Sequence, residues 1–195
     1  VTTPPALAGD YTSVEGDFTP KLSAIGPITA QVVQVNPSDA CGTILNAAAL
    51  KGKIALIDRG TCFFVDKIRR VQTAGAIGVI MVNNVDGPPI PMGGSGNTSD
   101  IRIPGVMIRS EDGRLIKSQL ANGVTATLAA FAAVARPELA DQLDNGSSRG
   151  PRLPDSHLKP DIAAPGTSIN AVEAGSGVRG RIYSGTSMAS PHVAG

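Results

Sequence analysis

The chain has 195 residues, of which 42% are hydrophobic and 17% charged, and its formal net charge is +1. These proportions fit a globular chain that holds one ordinary domain, or a small domain and part of another, and they exclude a disordered polymer. A near-neutral balance without a basic stripe excludes a nucleic-acid binder, and no apolar run is long enough to span a membrane. With 3% aromatics and no Trp, the core must come from Val, Ile, Leu and Ala, and 23 Gly with 15 Pro imply many turns between short elements.

The first 27 residues, rich in Pro, Gly, Thr and Ser, read as an irregular lead-in with at most one short strand. Ile28 to Val35 reads as a strand closed by Asn36-Pro37. Lys53 to Asp58 is a second strand, whose nearly continuous apolar run predicts burial on both faces. A helix follows Arg59-Gly60: Phe64, Ile68 and Val71 share one face, with Asp66, Lys67, Arg69 and Arg70 elsewhere on the wheel and Gly75 as the stop. Ile77 to Asn83 is another buried strand, and residues 86–100 form a long loop. Ile101 to Arg109 reads as a strand that Pro104 interrupts, which predicts an edge or a bulge. Ser110 then caps a short helix through Leu115, Ile116 and Leu120 that ends at Asn122-Gly123, and Val124 to Ala130 is the closing strand. Residues 131–146 change character and are read as the crossing into a second unit.

Cys41 and Cys62 flank the Lys53–Asp58 run. A disulfide between them would close a loop of about twenty residues, worth about 3 kcal/mol in the chain-entropy model. Two reduced thiols are the alternative in a cytosolic setting. Neither cysteine has a partner at metal-ligand spacing, and the histidines are His157 and His192, so no metal or other cofactor is expected.

The last twelve residues, Ser184-Gly-Thr-Ser-Met-Ala-Ser-Pro-His-Val-Ala-Gly195, carry the chemistry. Gly185 permits a sharp turn and a close substrate approach. Thr186 or Ser187 can cap a helix through Met188, Ala189 and Val193, with Pro191 expected near its start. Ser187 then sits where free N–H groups and the helix dipole favour negative charge, a suitable place for the oxyanion of an acyl transfer. This stretch closely resembles the segment around the nucleophilic serine of the subtilisin-like serine proteases. Ser147-Ser-Arg-Gly-Pro151 and Leu158-Lys-Pro-Asp-Ile-Ala-Ala-Pro-Gly166 resemble upstream segments of the same family, in the same order. The resemblance implies that Ser187 is the nucleophile and that the Asp and His motifs precede it, and neither occurs in residues 1–186. His192 is not the base, because on a helix it lies about 140° around the axis from Ser187. His157, in a Pro-flanked loop, reads as solvated. Gly195 falls inside the helix that Ser187 begins, so a fragment is expected, one without peptidase activity of its own.

Residues 25–130 resemble the protease-associated domain. The match rests on Cys41, the run Gly52-Lys-Ile-Ala-Leu-Ile-Asp-Arg-Gly-Thr-Cys62-Phe, Lys67, the run Ala74-Gly-Ala-Ile-Gly-Val-Ile80, Ile103-Pro104-Gly-Val, and Asp112-Gly113. The resemblance implies a mixed α/β architecture: a swivelling β/β/α domain at 25–130, after a lead-in at 1–24 from the catalytic domain, followed at 131–195 by an incomplete subtilisin-like α/β catalytic domain. It implies a secreted or extracellular endopeptidase whose partners are a protein or peptide substrate and the remainder of its own catalytic domain, with neither nucleic acid nor membrane among them. The inserted domain would bind or gate substrate. The alternative is a protein-binding module, or a degenerate peptidase scaffold without catalysis.

The loop at 86–100, with Pro88-Pro-Ile-Pro-Met92, is read as the contact surface or as an unconstrained surface loop. Asp58 and Arg59 are read as a structural pair tying strand to loop. Asn97-Thr98-Ser99 and Asn145-Gly146-Ser147 fit the N-glycosylation pattern.

Overall fold

The computed structural model describes residues 1–130, 141–144, 146–153, 155–167 and 169–195. The chain divides into two compact units, Val1–Ala132 and Ala133–Gly195. Most of the crossing segment expected at 131–146, and Asn145 of the second glycosylation pattern, lie outside the described residues.

The first unit contains β1 (Ser13–Glu15), α1 (Leu22–Ile25), β2 (Ile28–Gln34), α2 (Ala47–Leu50), β3 (Ile54–Asp58), α3 (Phe64–Thr73), β4 (Gly78–Val82), β5 (Gly105–Ile108), α4 (Ser110–Ser118) and β6 (Thr125–Leu128). Its six strands form one sheet in the order β1-β5-β4-β3-β2-β6. The four inner strands run parallel, and β1 and β6 pair antiparallel at the edges. The mixed α/β architecture read from the sequence is therefore the one observed. The lead-in residues join this unit: β1 pairs with β5, and Leu7 and Leu22 are buried.

The continuous apolar runs are explained by alternation. Ala55, Ile57, Val79 and Met81 point to one face, against Val65, Ile68 and Val71 of α3. Ile54, Leu56, Ile80 and Val82 point to the other, with Ile116 of α4 and Leu22. With both faces covered, period two leaves no polar position in β3 or β4 until Asp58. Helix α3 ends in a Schellman arrangement: Gly75 has φ +91°, its N–H donates to the Gln72 carbonyl (2.9 Å), and the Ala76 N–H donates to the Val71 carbonyl (3.0 Å).

Three boundaries differ from the sequence reading. Strand β5 begins at Gly105, so Pro104 sits before the strand, where it needs no ladder N–H, and β5 lies inside the sheet between β1 and β4. Helix α4 is capped by Arg109 without a side-chain bond, because the Ser110 hydroxyl pairs instead with Asp86 Oδ1 at 2.7 Å. Leu120 belongs to a separate 3-10 turn, Leu120–Asn122, beyond the end of α4.

The long loop is anchored at several points. Met92 is fully buried beneath α3, and its carbonyl accepts the Asp17 N–H at 3.0 Å. Arg69 of α3 grips Asp100 through Nε (2.5 Å) and Nη2 (2.9 Å) and also donates to the Asn97 carbonyl (2.7 Å). Gln72 donates to the Asp100 carbonyl (2.9 Å). Residues 89–92 are thus buried or half-buried, and the exposed parts of the loop are residues 86–88, 93, 95–97 and 99–100.

Two predictions follow from this packing. A Cβ at Gly113 would come within 2.1 Å of Val82 Cγ1, so α4 sits on β4 at a distance only glycine allows. G113A lowers stability by about 1–2 kcal/mol, overpacking outweighing the gain in helix propensity, and V82A in the same chain recovers part of it. Urea midpoints check this, and an unchanged or raised midpoint for G113A contradicts it. Second, the Arg69 guanidinium holds the Asp100 carboxyl at about 2, below the ordinary 3.8. A depressed folded value means that the clamp's contribution is complete above the unfolded value and disappears as pH falls through about 2. An NMR titration of Asp100 has its midpoint near 2, and a midpoint near 3.8 contradicts the clamp.

Candidate functional site

The second unit holds a hairpin of β7 (Ile169–Val172) and β8 (Gly180–Tyr183), paired antiparallel, and α5 (Thr186–Ala194). Gly185 joins β8 to α5 and is the N-cap residue, with φ +147°. Its N–H donates to the Gly166 carbonyl at 2.7 Å. This bond brings the Ala-Pro-Gly segment and the Gly-Thr-Ser segment, nineteen positions apart, into backbone contact. A Cβ on Gly166 would meet the Gly185 oxygen at 2.8 Å and Ala189 Cβ at 3.0 Å. Glycine is therefore required at 166 for the helix to sit this close.

Ser187 is the second residue of α5 and is exposed. Neither Thr186 nor Ser187 makes the side-chain cap expected of them, because Gly185 occupies the cap position. Among the described residues no group bonds the Ser187 hydroxyl, and the N–H groups of Thr186 and Ser187 have no acceptor. The hydroxyl and two free donors thus lie together at the positive end of a helix. Pro191 is the sixth helical residue, further in than expected, and has no N–H to return to the Ser187 carbonyl. The His192 ring turns back on its own helix, with Nδ1 2.8 Å from the Met188 carbonyl. His157 is exposed in an irregular segment. Neither histidine hydrogen-bonds Ser187.

In the first unit, polar groups converge where β3 ends. The Cys41–Cys62 disulfide is present, with a Cα–Cα distance of 5.8 Å. Lys67, on the same helix as the solvated charges of α3, is fully buried. Its ammonium donates to the Asp39 carbonyl and to the Asp58 carbonyl (3.2 Å), and it lies 3.2 Å from Cys41 Sγ. Burial pulls the Lys67 pKa down, with the nearby Asp39 and Asp58 charges acting the other way. The Asp39 carboxylate is held low chiefly by the Cys41 N–H, which it accepts at 3.1 Å. Arg70 lies beside Cys62 Sγ at 3.9 Å and donates to the Ala40 carbonyl at 3.2 Å.

Asp58 and Arg59 do not pair with each other. Asp58 binds Lys117 of α4, and Arg59 binds Asn83 Oδ1 at 2.7 Å, so each ties the end of β3 to a different neighbour. Residues 59–64 line an open cleft of about 320 Å³ with Cys62 in its wall, and Phe63 is 66% exposed beside it. Asn97 lies in the exposed loop, where its Oδ1 accepts from the Ser99 N–H (3.0 Å) and bonds the Ser99 hydroxyl (2.8 Å). Among the described residues no cluster of His, Cys, Asp or Glu could hold a metal, and no helix is long and apolar enough to cross a membrane.

A layered α/β unit with a disulfide at the end of its central strand is the class of domain this fold defines. The PA domain family model matches residues 28–116, and a PA domain is present there. Relatives extend the likeness. The chain is 36% identical over 154 residues to the minor extracellular protease Vpr of Bacillus subtilis (strain 168), covering 75% of this chain and 18% of that protein. It is 39% identical over 147 residues to the C5a peptidase of Streptococcus pyogenes serotype M1, covering 75% and 12%. It is also 41% identical over 92 residues to the human ER degradation-enhancing alpha-mannosidase-like protein 3, covering 44% and 10%. The chain thus spans less than a fifth of the length of these relatives. Among solved structures, the zinc aminopeptidase BSAP of Bacillus subtilis superimposes with a TM-score of 0.46 at 28% identity, over 56% of this chain and 26% of that one.

Proposed function

We propose that the chain is part of a secreted subtilisin-like serine endopeptidase, in which Ser187 forms the acyl-enzyme and the PA domain binds or gates protein substrate. The observation that carries the reading is the placement of Ser187. It stands at the start of α5 with an unbonded hydroxyl, beside the free N–H groups of Thr186 and Ser187, in a Gly-Thr-Ser-Met-Ala-Ser-Pro-His context. In this reading the hydroxyl oxygen attacks the scissile carbonyl while a base outside residues 1–195 takes its proton. The helix N-terminus faces the negative charge that develops on the carbonyl oxygen, and the amine departs to leave the acyl group on Ser187.

Two further observations support it. The alignments with the two proteases cover 75% of the chain, well beyond residues 28–116. Among the described residues of the second unit no side chain is buried, and Leu153, Leu158 and Val178 are more than 80% exposed. Such a unit calls for a further apolar layer, which the remainder of the catalytic domain would supply. The boundaries proposed are a lead-in at 1–24, which packs into the first unit through β1, Leu7 and Leu22, the PA domain at 25–130 and the partial catalytic domain at 131–195. A protein-binding module, or a peptidase scaffold without catalysis, is the second reading. The mannosidase-like relative favours it, because it aligns over only 44% of the chain, close to the span of the PA domain.

The test uses the full-length parent. A fluorophosphonate probe labels Ser187, and S187A lowers kcat on a protein substrate by about a million-fold. The 195-residue chain alone does not turn over peptide. Labelling at another residue, full activity of S187A, or turnover by the isolated chain overturns the reading.

A further inference from the structure

The ammonium of Lys67 is buried, yet its partners are two main-chain oxygens and a disulfide sulfur. Among the described residues no carboxylate oxygen lies within ion-pair distance of it. Asp58 is engaged by Lys117, and the carboxylate of the half-buried Asp39 accepts the Cys41 N–H. A buried cation whose counter-charges, Asp39 and Asp58, act on it only from beyond contact is costly. Reduction of the disulfide would place an anion in direct contact with it, as a thiolate on Cys41.

The two sulfurs are not equivalent. Cys62 lines the open cleft formed with Arg59 and Phe63, and Arg70 lies 3.9 Å from its sulfur. Cys41 faces Lys67 at 3.2 Å. Exchange is fastest when the attacked sulfur is accessible and the departing thiolate is stabilised, and cationic neighbours lower a thiol's pKa. The charges around the pair are Lys67, Arg70 and Arg59, against Asp39 and the Asp58–Lys117 pair.

We propose that Cys41–Cys62 is a thiol-exchange site for a low-molecular-weight thiol, entered at Cys62 with Cys41 as the leaving group. The incoming thiolate bonds to the Cys62 sulfur, the S–S bond breaks, and its electron pair leaves on Cys41 as a thiolate paired with Lys67. The products are a mixed disulfide on Cys62 and one free thiolate. A second thiol can then release Cys62, with the small disulfide as the oxidised product. The tie between the 36–46 loop and the start of α3 is opened by the first step, so the domain carries a redox-responsive joint.

The experiment treats the native 195-residue chain with glutathione at neutral pH, quenches with acid, alkylates free thiols and maps the products by peptide mass spectrometry. The expected product carries glutathione on Cys62 and the alkyl label on Cys41. Glutathione on Cys41 overturns the proposal, as does no exchange while the chain stays folded. R70Q slows the first step several-fold, and K67Q slows it roughly tenfold or more through the leaving group. Should K67Q not fold, the Cys41 thiol in C62S reads the same interaction: it titrates at least one unit below the ordinary value of about 8.5. Titration at or above that value overturns the pairing.

Discussion

The first unit depends on one buried cation. Lys67 collects the Asp39 carbonyl, the Asp58 carbonyl and the Cys41 sulfur, which belong to the loop after β2, the end of β3 and the disulfide. An ammonium has three donors, and three acceptors face it, so each strand or loop end is held by a directional bond rather than by apolar contact alone. That placement fixes α3 against the sheet. Arg69, two residues on, then reaches Asp100, and Arg70 reaches Ala40. The disulfide reinforces the same junction and closes a loop with a sequence separation of 21. Charge, covalent bond and helix packing therefore converge on the C-terminal end of the central strand, where open α/β sheets commonly place their functional surfaces.

Much of this was legible in the residues. Runs such as Ile54–Asp58 and Gly78–Val82 announce doubly buried strands, because alternation on a sheet covered on both faces leaves no polar step. The period of Phe64, Ile68 and Val71 announces α3, and Gly75 its end. What escaped was decided by tertiary contacts. Lys67 is indistinguishable on a helical wheel from Arg69 or Asp66, and its burial is made tolerable by partners distant in sequence, among them the carbonyls of Asp39 and Asp58. Gly113 looks like a weak point in a helix until Val82 is seen beneath it. Ser110 has a good capping side chain, but Asp86 of a distant loop claims it. Pro104 lies on the approach to an inner strand, where a carbonyl suffices: its oxygen accepts the Val79 N–H at 2.9 Å.

The second unit has the opposite character. Its proposed chemistry is read from a local pattern, and its packing is not. The serine segment is a local arrangement of glycine turn, helix start and hydroxyl, so its sequence carries it without long-range help. The contact that seats it, Gly185 on Gly166, joins two segments whose common place no local pattern discloses. The exposed Leu153, Leu158 and Val178 read as ordinary apolar residues in sequence, and become informative only when nothing among the described residues of their unit covers them. The proposed peptidase thus rests on a site that is locally formed, with its base and its covering layer supplied from elsewhere.

The most direct measurement is the reading frame of the parent gene upstream of Val1. The account predicts an Asp-Thr-Gly strand end and then a His-Gly-Thr-His helix start, in that order, before this chain. A parent frame that carries neither motif would contradict it, and would leave Ser187 a helix residue in a binding protein.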